Sequence, residues 1–171
     1  MTKQSNRKLR IVAATETDVP TILALIKELA EYERLSHEVV ATESILKESL
    51  FGDHRYAEVL LAFLDGEPAG YELFFHSFST FLGRPGLYLE DIYVKPQYRG
   101  LGIGKAMLAR LARLAGERKC GRLEWAVLNW NEPSIRFYRS LGARPMDEWT
   151  VFRLMGDQLS QLVTAAPMQD P

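Results

Sequence analysis

The residues best suited to chemistry lie in one segment, residues 87–104, which reads LYLEDIYVKPQYRGLGIG. Its first half is a predicted strand that carries two adjacent carboxylates, Glu90 and Asp91. Its second half is a glycine-rich loop that leads into a predicted helix. Backbone N–H groups at the start of a helix have no partner within the helix, so they can bind a phosphate or pyrophosphate. An acid/base candidate beside such a loop indicates an enzyme that uses a phosphate-bearing cofactor.

The glycine loop differs from two other phosphate-binding motifs. A dinucleotide-binding motif that begins at Gly100 needs glycine where Lys105 stands. A nucleoside-triphosphate loop that ends in Gly104 and Lys105 needs glycine where Arg99 stands. The pattern that remains is Arg-x-x-Gly-x-Gly, formed by Arg99, Gly102 and Gly104. A glycine-rich turn without a ligand is the alternative for the loop taken alone.

Alternation along the predicted strand separates the two carboxylates. Side chains two residues apart share a face, which predicts one face with Tyr88, Glu90, Ile92 and Val94 and another with Asp91 and Tyr93. Glu90 is then a candidate base, and the Val94 N–H is a candidate donor to a carbonyl that becomes an oxyanion. A structural hydrogen bond is the alternative for Glu90. For Asp91 we favour a structural or substrate-orienting role over catalysis.

Periodicity elsewhere predicts the elements that position this segment. Strands are expected at 9–13, 56–64, 69–78, 86–94, 122–128 and 149–155. Helices are expected after Thr17 or Thr15, after Thr42, from Gly104 to near Gly121, and from Asn131 to Gly142. Three consecutive strands followed by a helical crossover indicate an α/β (α+β) fold with a mixed, mostly antiparallel sheet and helices on both faces. Residues 1–8 are expected to be a flexible tail, 9–156 a single domain, and 157–171 a weakly structured segment.

Composition excludes several classes of protein. The 171 residues are 47% hydrophobic and carry a net charge of −1, which favours one globular domain without a basic field for nucleic acid. No apolar run is long enough to span a membrane, and no apolar signal region precedes Ile11. The only cysteine, Cys120, excludes an internal disulfide, which makes the cytoplasm the expected location. The three histidines, His37, His54 and His76, lack the spacing of metal ligands, so no metal is expected.

With strand, loop and helix in this order, the segment resembles the GNAT superfamily of N-acetyltransferases. Further similarity is to the diamine acetyltransferases, the spermidine/spermine N-acetyltransferase group. It is carried by Leu25–Ala30 with Tyr32 and Glu33, Leu87–Asp91, Tyr98–Gly104, and Trp130–Ile135 with Phe137 and Tyr138, across about residues 9–156. The glycine loop is specific for the superfamily only, whereas the run WNEPSI followed by Phe-Tyr is specific for the subgroup.

The resemblance implies an N-acetyltransferase domain that takes acetyl-CoA as co-substrate, acts on a small amine and forms a homodimer. The implied acetyl-CoA contacts are Ile92, Tyr93, Val94, Arg99, Gly100, Leu101, Gly102, Ile103, Gly104, Lys105, Asn131, Glu132, Pro133, Ser134 and Tyr138. The implied acceptor site contains Tyr32, Glu33, Glu90, Glu124, Trp125, Ala126 and Glu148. Tyr138 matches the general acid of the family, although its spacing to Ile135 and Leu141 by itself indicates core packing.

The sequence does not identify the acceptor amine. Residues 143–148 are shorter than in the polyamine enzymes, which carry an acidic cluster there, and only Asp147 and Glu148 remain. A polyamine, a diamine or a lysine-like amine such as thialysine is the leading acceptor. Acetylation of a protein lysine or N-terminus is the enzymatic alternative. A third hypothesis is a non-catalytic acyl-CoA-binding module, and the presence of both Tyr138 and Glu90 argues against it.

Overall fold

The computed structural model describes residues 7–165. The chain divides into two compact units with the boundary after Ala126. We describe each unit by itself. The prediction of a flexible tail falls mostly outside the described residues, but Lys8 lies within them, and its backbone N–H donates to Asp65 Oδ1 at 2.8 Å.

The first unit is built on one five-stranded sheet in the order β1-β2-β3-β4-β5. The strands are β1 (Leu9–Ala13), β2 (Glu58–Leu64), β3 (Glu67–Ser79), β4 (Arg84–Val94) and β5 (Leu123–Trp125). The first four are antiparallel and β5 is parallel to β4, which confirms the predicted mixed, mostly antiparallel sheet. Asp65 and Gly66 join β2 to β3 with φ of 53° and 93°, the positive values that a two-residue hairpin turn needs.

Helices cover both faces of this sheet, as predicted. Helices α1 (Val19–Glu33) and α2 (Glu43–Phe51) pack on the face that carries Leu61, Tyr71 and Tyr93. Helix α3 (Ile103–Glu117) packs on the opposite face, where Ile103 and Met107 contact a cluster with Ala62 and Leu64. Helix α3 also forms the crossover that makes β5 parallel to β4. The Arg118 guanidinium, directly after α3, forms two hydrogen bonds with the Glu58 carboxylate at the start of β2.

One carboxyl group interrupts the apolar packing between the sheet and α3. Glu72 of β3 is fully buried, and neither of its carboxyl oxygens has a hydrogen-bond partner. Burial raises the pKa of Glu72 to about 8, although the nearby Arg110 charge on α3 acts in the opposite direction. Glu72 is therefore a neutral acid near pH 7, held in an apolar environment at a cost to folding.

The second unit departs from prediction at two places. It contains α4 (Glu132–Ser140) and α5 (Gly156–Ala165). The strand predicted at 149–155 is wrong: the residues from Val151 to Met155 have no regular structure, and Val151 and Phe152 are 84% and 90% exposed. A strand needs a neighbouring strand for its backbone hydrogen bonds, and the second unit provides none among its described residues. The weak structure expected after Gly156 is also wrong as far as Ala165, because α5 occupies that stretch.

Candidate active site

Glu90 occupies a β-bulge in the middle of β4. Leu89 pairs with Phe74 of β3 and Asp91 pairs with Leu73, so Glu90 is one extra residue with no opposite partner. Pairing between β4 and β5 ends at the same point, with Leu89 opposite Trp125. Glu90 is exposed. A bulge bends its strand and redirects a side chain, which suits a residue that has to reach a ligand.

The bulge makes the predicted alternation wrong for the first half of the strand. Tyr88 pairs with Phe75, and their rings lie 5.2 Å apart between centroids. Phe75 and Leu73 are two residues apart on β3 and share a face, so Tyr88 lies on the same face as Asp91. The regular alternation predicted Tyr88 on the face of Ile92 and Val94. The extra residue shifts the alternation by one, so Tyr88 lies on the opposite face.

Three carboxylates gather beside the bulge, where α1 ends. The Tyr71 hydroxyl donates a 2.9 Å hydrogen bond to Asp91 Oδ2. Burial raises the pKa of Asp91, the Tyr71 hydrogen bond opposes that rise, and the negative charge of Glu90 adds to it. Burial raises the pKa of Glu33 as well, with a further contribution from Asp91. We call Glu33, Glu90 and Asp91 the acidic cluster. Because these like charges destabilise one another, a bound cation would relieve their repulsion.

Tyr71 is a hydrogen-bond donor to the acidic cluster rather than a titrating group. Burial raises the pKa of Tyr71 far above its usual value, and the charges of Asp91, Glu33 and Glu90 raise it further. The phenol therefore keeps its proton throughout the accessible pH range and holds Asp91 in place. Residue spacing gives no sign of this pair, because Tyr71 and Asp91 are 20 positions apart and meet only through the pairing of β3 with β4.

The glycine loop has the conformation that an anion-binding helix start requires. Gly100 and Gly102 have φ of 77° and 79°, values that favour glycine, and open space surrounds the position where a side chain would begin. Gly102 is the N-cap of α3 and has no side chain to occupy the amides of Ile103, Gly104 and Lys105. This arrangement fits a pyrophosphate group, which would approach the backbone closely and accept hydrogen bonds from these amides.

Arg99 connects the loop to the strand before it and to α1. Its Nε donates a 2.9 Å hydrogen bond to the Val94 carbonyl at the end of β4. Its guanidinium carbon lies 4.5 Å from the centroid of the Tyr32 ring and 5.7 Å from that of Tyr93. Tyr32, expected in the acceptor site, and Arg99, expected in the donor site, are therefore in direct contact.

The remaining predicted site residues are spread over two regions. In the first unit, Glu124 and Trp125 belong to β5 and Ala126 follows it. Arg122 Nε lies 2.6 Å from Glu124 Oε2, so an arginine already balances the Glu124 charge. In the second unit, Glu132, Pro133 and Ser134 form the first turn of α4, Tyr138 lies near its end, and Glu148 is exposed. The Asn131 side chain accepts a 3.3 Å hydrogen bond from the Ser134 N–H and caps the helix.

Residues 7–165 contain neither a metal site nor a membrane-spanning helix. No group of three or more His, Cys, Asp or Glu side chains there is arranged to hold a metal ion. None of the helices in the same range has the length and the apolar character needed to cross a membrane.

Comparison with known proteins identifies the family. Residues 22–143 match the model of the acetyltransferase (GNAT) family. The chain is 42% identical over 160 residues to the thialysine N-epsilon-acetyltransferase of Bos taurus, a match that covers 87% of this chain and 94% of that protein. It is 33% identical over 198 residues to the L-ornithine N5-acetyltransferase NATA1 of Arabidopsis thaliana, covering 90% of this chain and 87% of that protein.

Solved structures agree with the fold. An integron cassette protein from the mobile metagenome of V. cholerae superposes with a TM-score of 0.77 at 24% identity, covering 91% of this chain and 97% of that one. At that identity the similarity concerns the fold alone. The family model and the relatives at 33–42% identity go further. The chain belongs to the GNAT acetyltransferase family and is an N-acetyltransferase.

Proposed function

We propose that this enzyme transfers the acetyl group of acetyl-CoA to a primary amine of a small cationic acceptor, such as a thialysine-like amino acid, a diamine or a polyamine. The observation that carries the proposal is the acidic cluster of Glu33, Glu90 and Asp91, beside the strand that leads into the glycine loop. Relatives named for thialysine and L-ornithine acetylation support the same acceptor class, since both compounds carry more than one charged group.

The end of β4 and the glycine loop form the proposed donor site of the first unit. GNAT acetyltransferases use acetyl-CoA, which supplies an activated acetyl thioester. The proposed contacts in the first unit are Ile92, Tyr93, Val94, Arg99, Gly100, Leu101, Gly102, Ile103, Gly104 and Lys105. Those in the second unit are Asn131, Glu132, Pro133, Ser134 and Tyr138. The amides at the start of α3 support this assignment, because they match the charge and size of a pyrophosphate.

The acceptor nitrogen has to lose its positive charge before it can attack. An alkylammonium with a pKa of ~10.4 is almost entirely protonated near neutral pH. Glu90 is the proposed base, acting directly or through a water molecule, and Asp91 and Glu33 are the proposed partners of the cation. The raised pKa values of Glu33 and Asp91 support a site that gains stability when a cation binds. The other proposed lining residues of the acceptor site are Tyr32, Glu124, Trp125, Ala126 and Glu148. Of these, Glu124 is already paired with Arg122.

Tyr138 is the proposed general acid for the thiolate that leaves. A phenol, with an ordinary pKa of ~10, keeps its proton near neutral pH and so has one to donate to the sulfur as the C–S bond breaks. Support comes from the sequence run that ends in Phe137 and Tyr138, and from the family model, which includes this helix. No metal takes part in the proposed mechanism.

A panel of amines tests the acceptor class. The purified enzyme is incubated with acetyl-CoA and thialysine, ornithine, spermidine, butylamine, a lysine-containing peptide or a peptide with a free N-terminus. We expect acetylated thialysine or another small dication by mass spectrometry, with kcat/KM at least about tenfold above that of butylamine, since a second cation pairs with the acidic cluster. Peptides as the only substrates would contradict the small-amine proposal, and no product from any acceptor would contradict acetyl transfer to amines.

We also propose that both units form one acetyltransferase domain and that two chains associate as a homodimer. The family model supports the first point, because it continues across the boundary after Ala126. Exposed apolar side chains in the second unit support the second, since monomeric proteins rarely leave many large ones uncovered. They are Val151, Phe152, Leu154, Leu159, Leu162 and Val163. A cytoplasmic location stays a prediction from the single cysteine.

Light scattering coupled to size-exclusion chromatography tests the dimer. We expect a mass of two chains at micromolar concentration, because burial of the exposed apolar residues 151–163 provides a hydrophobic driving force. Replacing Val151 and Phe152 by Ser, at positions that are 84% and 90% exposed, should shift the mass toward one chain. A mass of one chain at every concentration for the unmodified protein would exclude this homodimer.

A further inference from the structure

Arg99 is fixed by two different kinds of contact. The Val94 carbonyl accepts a hydrogen bond from Nε at 2.9 Å, which sets one edge of the planar guanidinium. The guanidinium carbon lies over the Tyr32 ring, 4.5 Å from its centroid, within the range of a cation–π contact. A hydrogen bond at Nε and an aromatic ring under the cation together restrict the position of the guanidinium. Arg99 is therefore oriented before any ligand arrives.

A second pair of contacts joins the same two parts of the fold. Lys95 Nζ lies 3.1 Å from Glu28 Oε1, and both side chains are partly buried. Glu28 also forms a side-chain hydrogen bond that contributes to the raised pKa of Tyr93, for which burial is the main cause. Glu28 and Tyr32, in the last two turns of α1, thus contact three side chains of the segment from Tyr93 to Arg99. Gly100, the first residue of the loop with positive φ, follows directly.

Tyr32 and Arg99 come from different parts of the fold. It belongs to α1, the helix that ends at Glu33 of the acidic cluster, whereas Arg99 belongs to the segment that opens the glycine loop. Glycines at 100 and 102 make the loop adaptable, because they allow many backbone conformations. A fixed residue directly before them limits that freedom, and pre-organisation of a loop reduces the entropy lost when a ligand binds.

We propose that Tyr32 is a positioning residue for the donor site: its ring holds the Arg99 guanidinium and thereby keeps the glycine loop in the conformation that binds the pyrophosphate of coenzyme A. This inference rests on the proposed function, which places coenzyme A at the loop. It gives Tyr32 a role in donor binding that is separate from its proposed place in the acceptor site. The side chain acts through Arg99 and has no need to touch coenzyme A.

Isothermal titration with coenzyme A in the absence of any amine separates the two roles of Tyr32. Replacing Tyr32 by Leu removes the ring, and we expect the affinity for coenzyme A to fall roughly 2- to 30-fold. Tyr32→Phe is the matched control, because it keeps the ring and is expected to retain the affinity of the unmodified enzyme. A residue that serves only the acceptor would leave the affinity for coenzyme A unchanged in both variants, and that result would overturn the proposal.

A double-variant cycle tests whether Tyr32 acts through Arg99. In an Arg99→Gln background, Tyr32→Leu should cause no further loss of affinity, since the cation above the ring is already absent. Full additivity of the two losses would overturn the proposal. If circular dichroism shows that Tyr32→Leu does not fold, Tyr32→Met replaces it in the same double-variant cycle, because the methionine side chain is longer and fills more of the space. An unmodified enzyme that fails to bind coenzyme A would instead refute the proposed function.

Discussion

Replacing Glu72 by Met is expected to stabilise the protein, and most strongly above pH 8. The buried carboxyl group has no hydrogen-bond partner for either oxygen, so the substitution removes an unsatisfied polar group and keeps a side chain of similar length. We expect the free energy of unfolding to rise by on the order of 2 to 4 kcal/mol at pH 9. Urea unfolding followed by circular dichroism at several pH values measures the change.

The pH dependence of this effect has a definite sign. The folded-state pKa of Glu72 is raised from 4.5 to about 8, so the folded protein holds the proton more tightly than the unfolded chain does. The contribution of Glu72 to the free energy of unfolding is largest below the pKa of the carboxyl group in the unfolded chain. It falls as pH rises from that value to the pKa in the folded protein, and it stays constant at higher pH. Glu72→Gln removes the titration and should abolish this decline, while other groups titrate equally in both proteins. The same pH slope in Glu72→Gln and in the unmodified protein would show that the carboxyl is not buried as described.

The second large effect is expected at Tyr138. Tyr138→Phe should lower kcat by ~10²–10⁴-fold with the best amine of the panel, because the phenol proton is lost while the ring stays. The affinity for coenzyme A should change little, and the ring can still pack against Phe137, whose centroid lies 5.5 Å away. Steady-state kinetics by thiol release gives kcat, and titration gives the affinity.

Tyr56→Phe is the matched control for Tyr138→Phe, since it makes the same chemical change on a ring that is 73% exposed. That control should leave kcat unchanged. Unchanged turnover in Tyr138→Phe would remove this residue from the general-acid role and would direct attention to water as the proton donor.

Local patterns predicted most of the fold of the first unit. The Asp65-Gly66 turn fixed the β2–β3 hairpin, because positive φ at both positions is rare outside glycine and small polar residues. The apolar stripe of α3 predicted its buried face, with Met107, Leu108 and Leu111 all in the core. The bulge at Glu90 could not be predicted in this way. It depends on how β4 pairs with β3, and a regular alternation gives no sign of an extra residue.

The candidate site was predictable where it depends on one stretch of chain. The glycine loop and Glu90 lie in the segment that the sequence singled out, and the family match covers both. The contacts of the site that the sequence did not predict are long-range. Tyr71 reaches Asp91 from a different strand, and Tyr32 reaches Arg99 from a different helix. Such contacts depend on tertiary packing, which residue spacing alone does not encode.

The bulge in β4 has a consequence for the length of that strand. Leu87 and Leu89 before it lie on the same face of the sheet as Ile92 and Val94 after it, although the first two numbers are odd and the last two even. Ile92 and Val94 pack against the cluster that contains Ile103 and Met107 of α3. A chain that lacked one residue here would rotate half of the strand by 180°, exchanging buried leucines for Tyr88. Packing of the core therefore tolerates a change of residue type at position 90 far more readily than deletion of the position. Strand length, rather than the carboxylate itself, is what the core of this enzyme constrains.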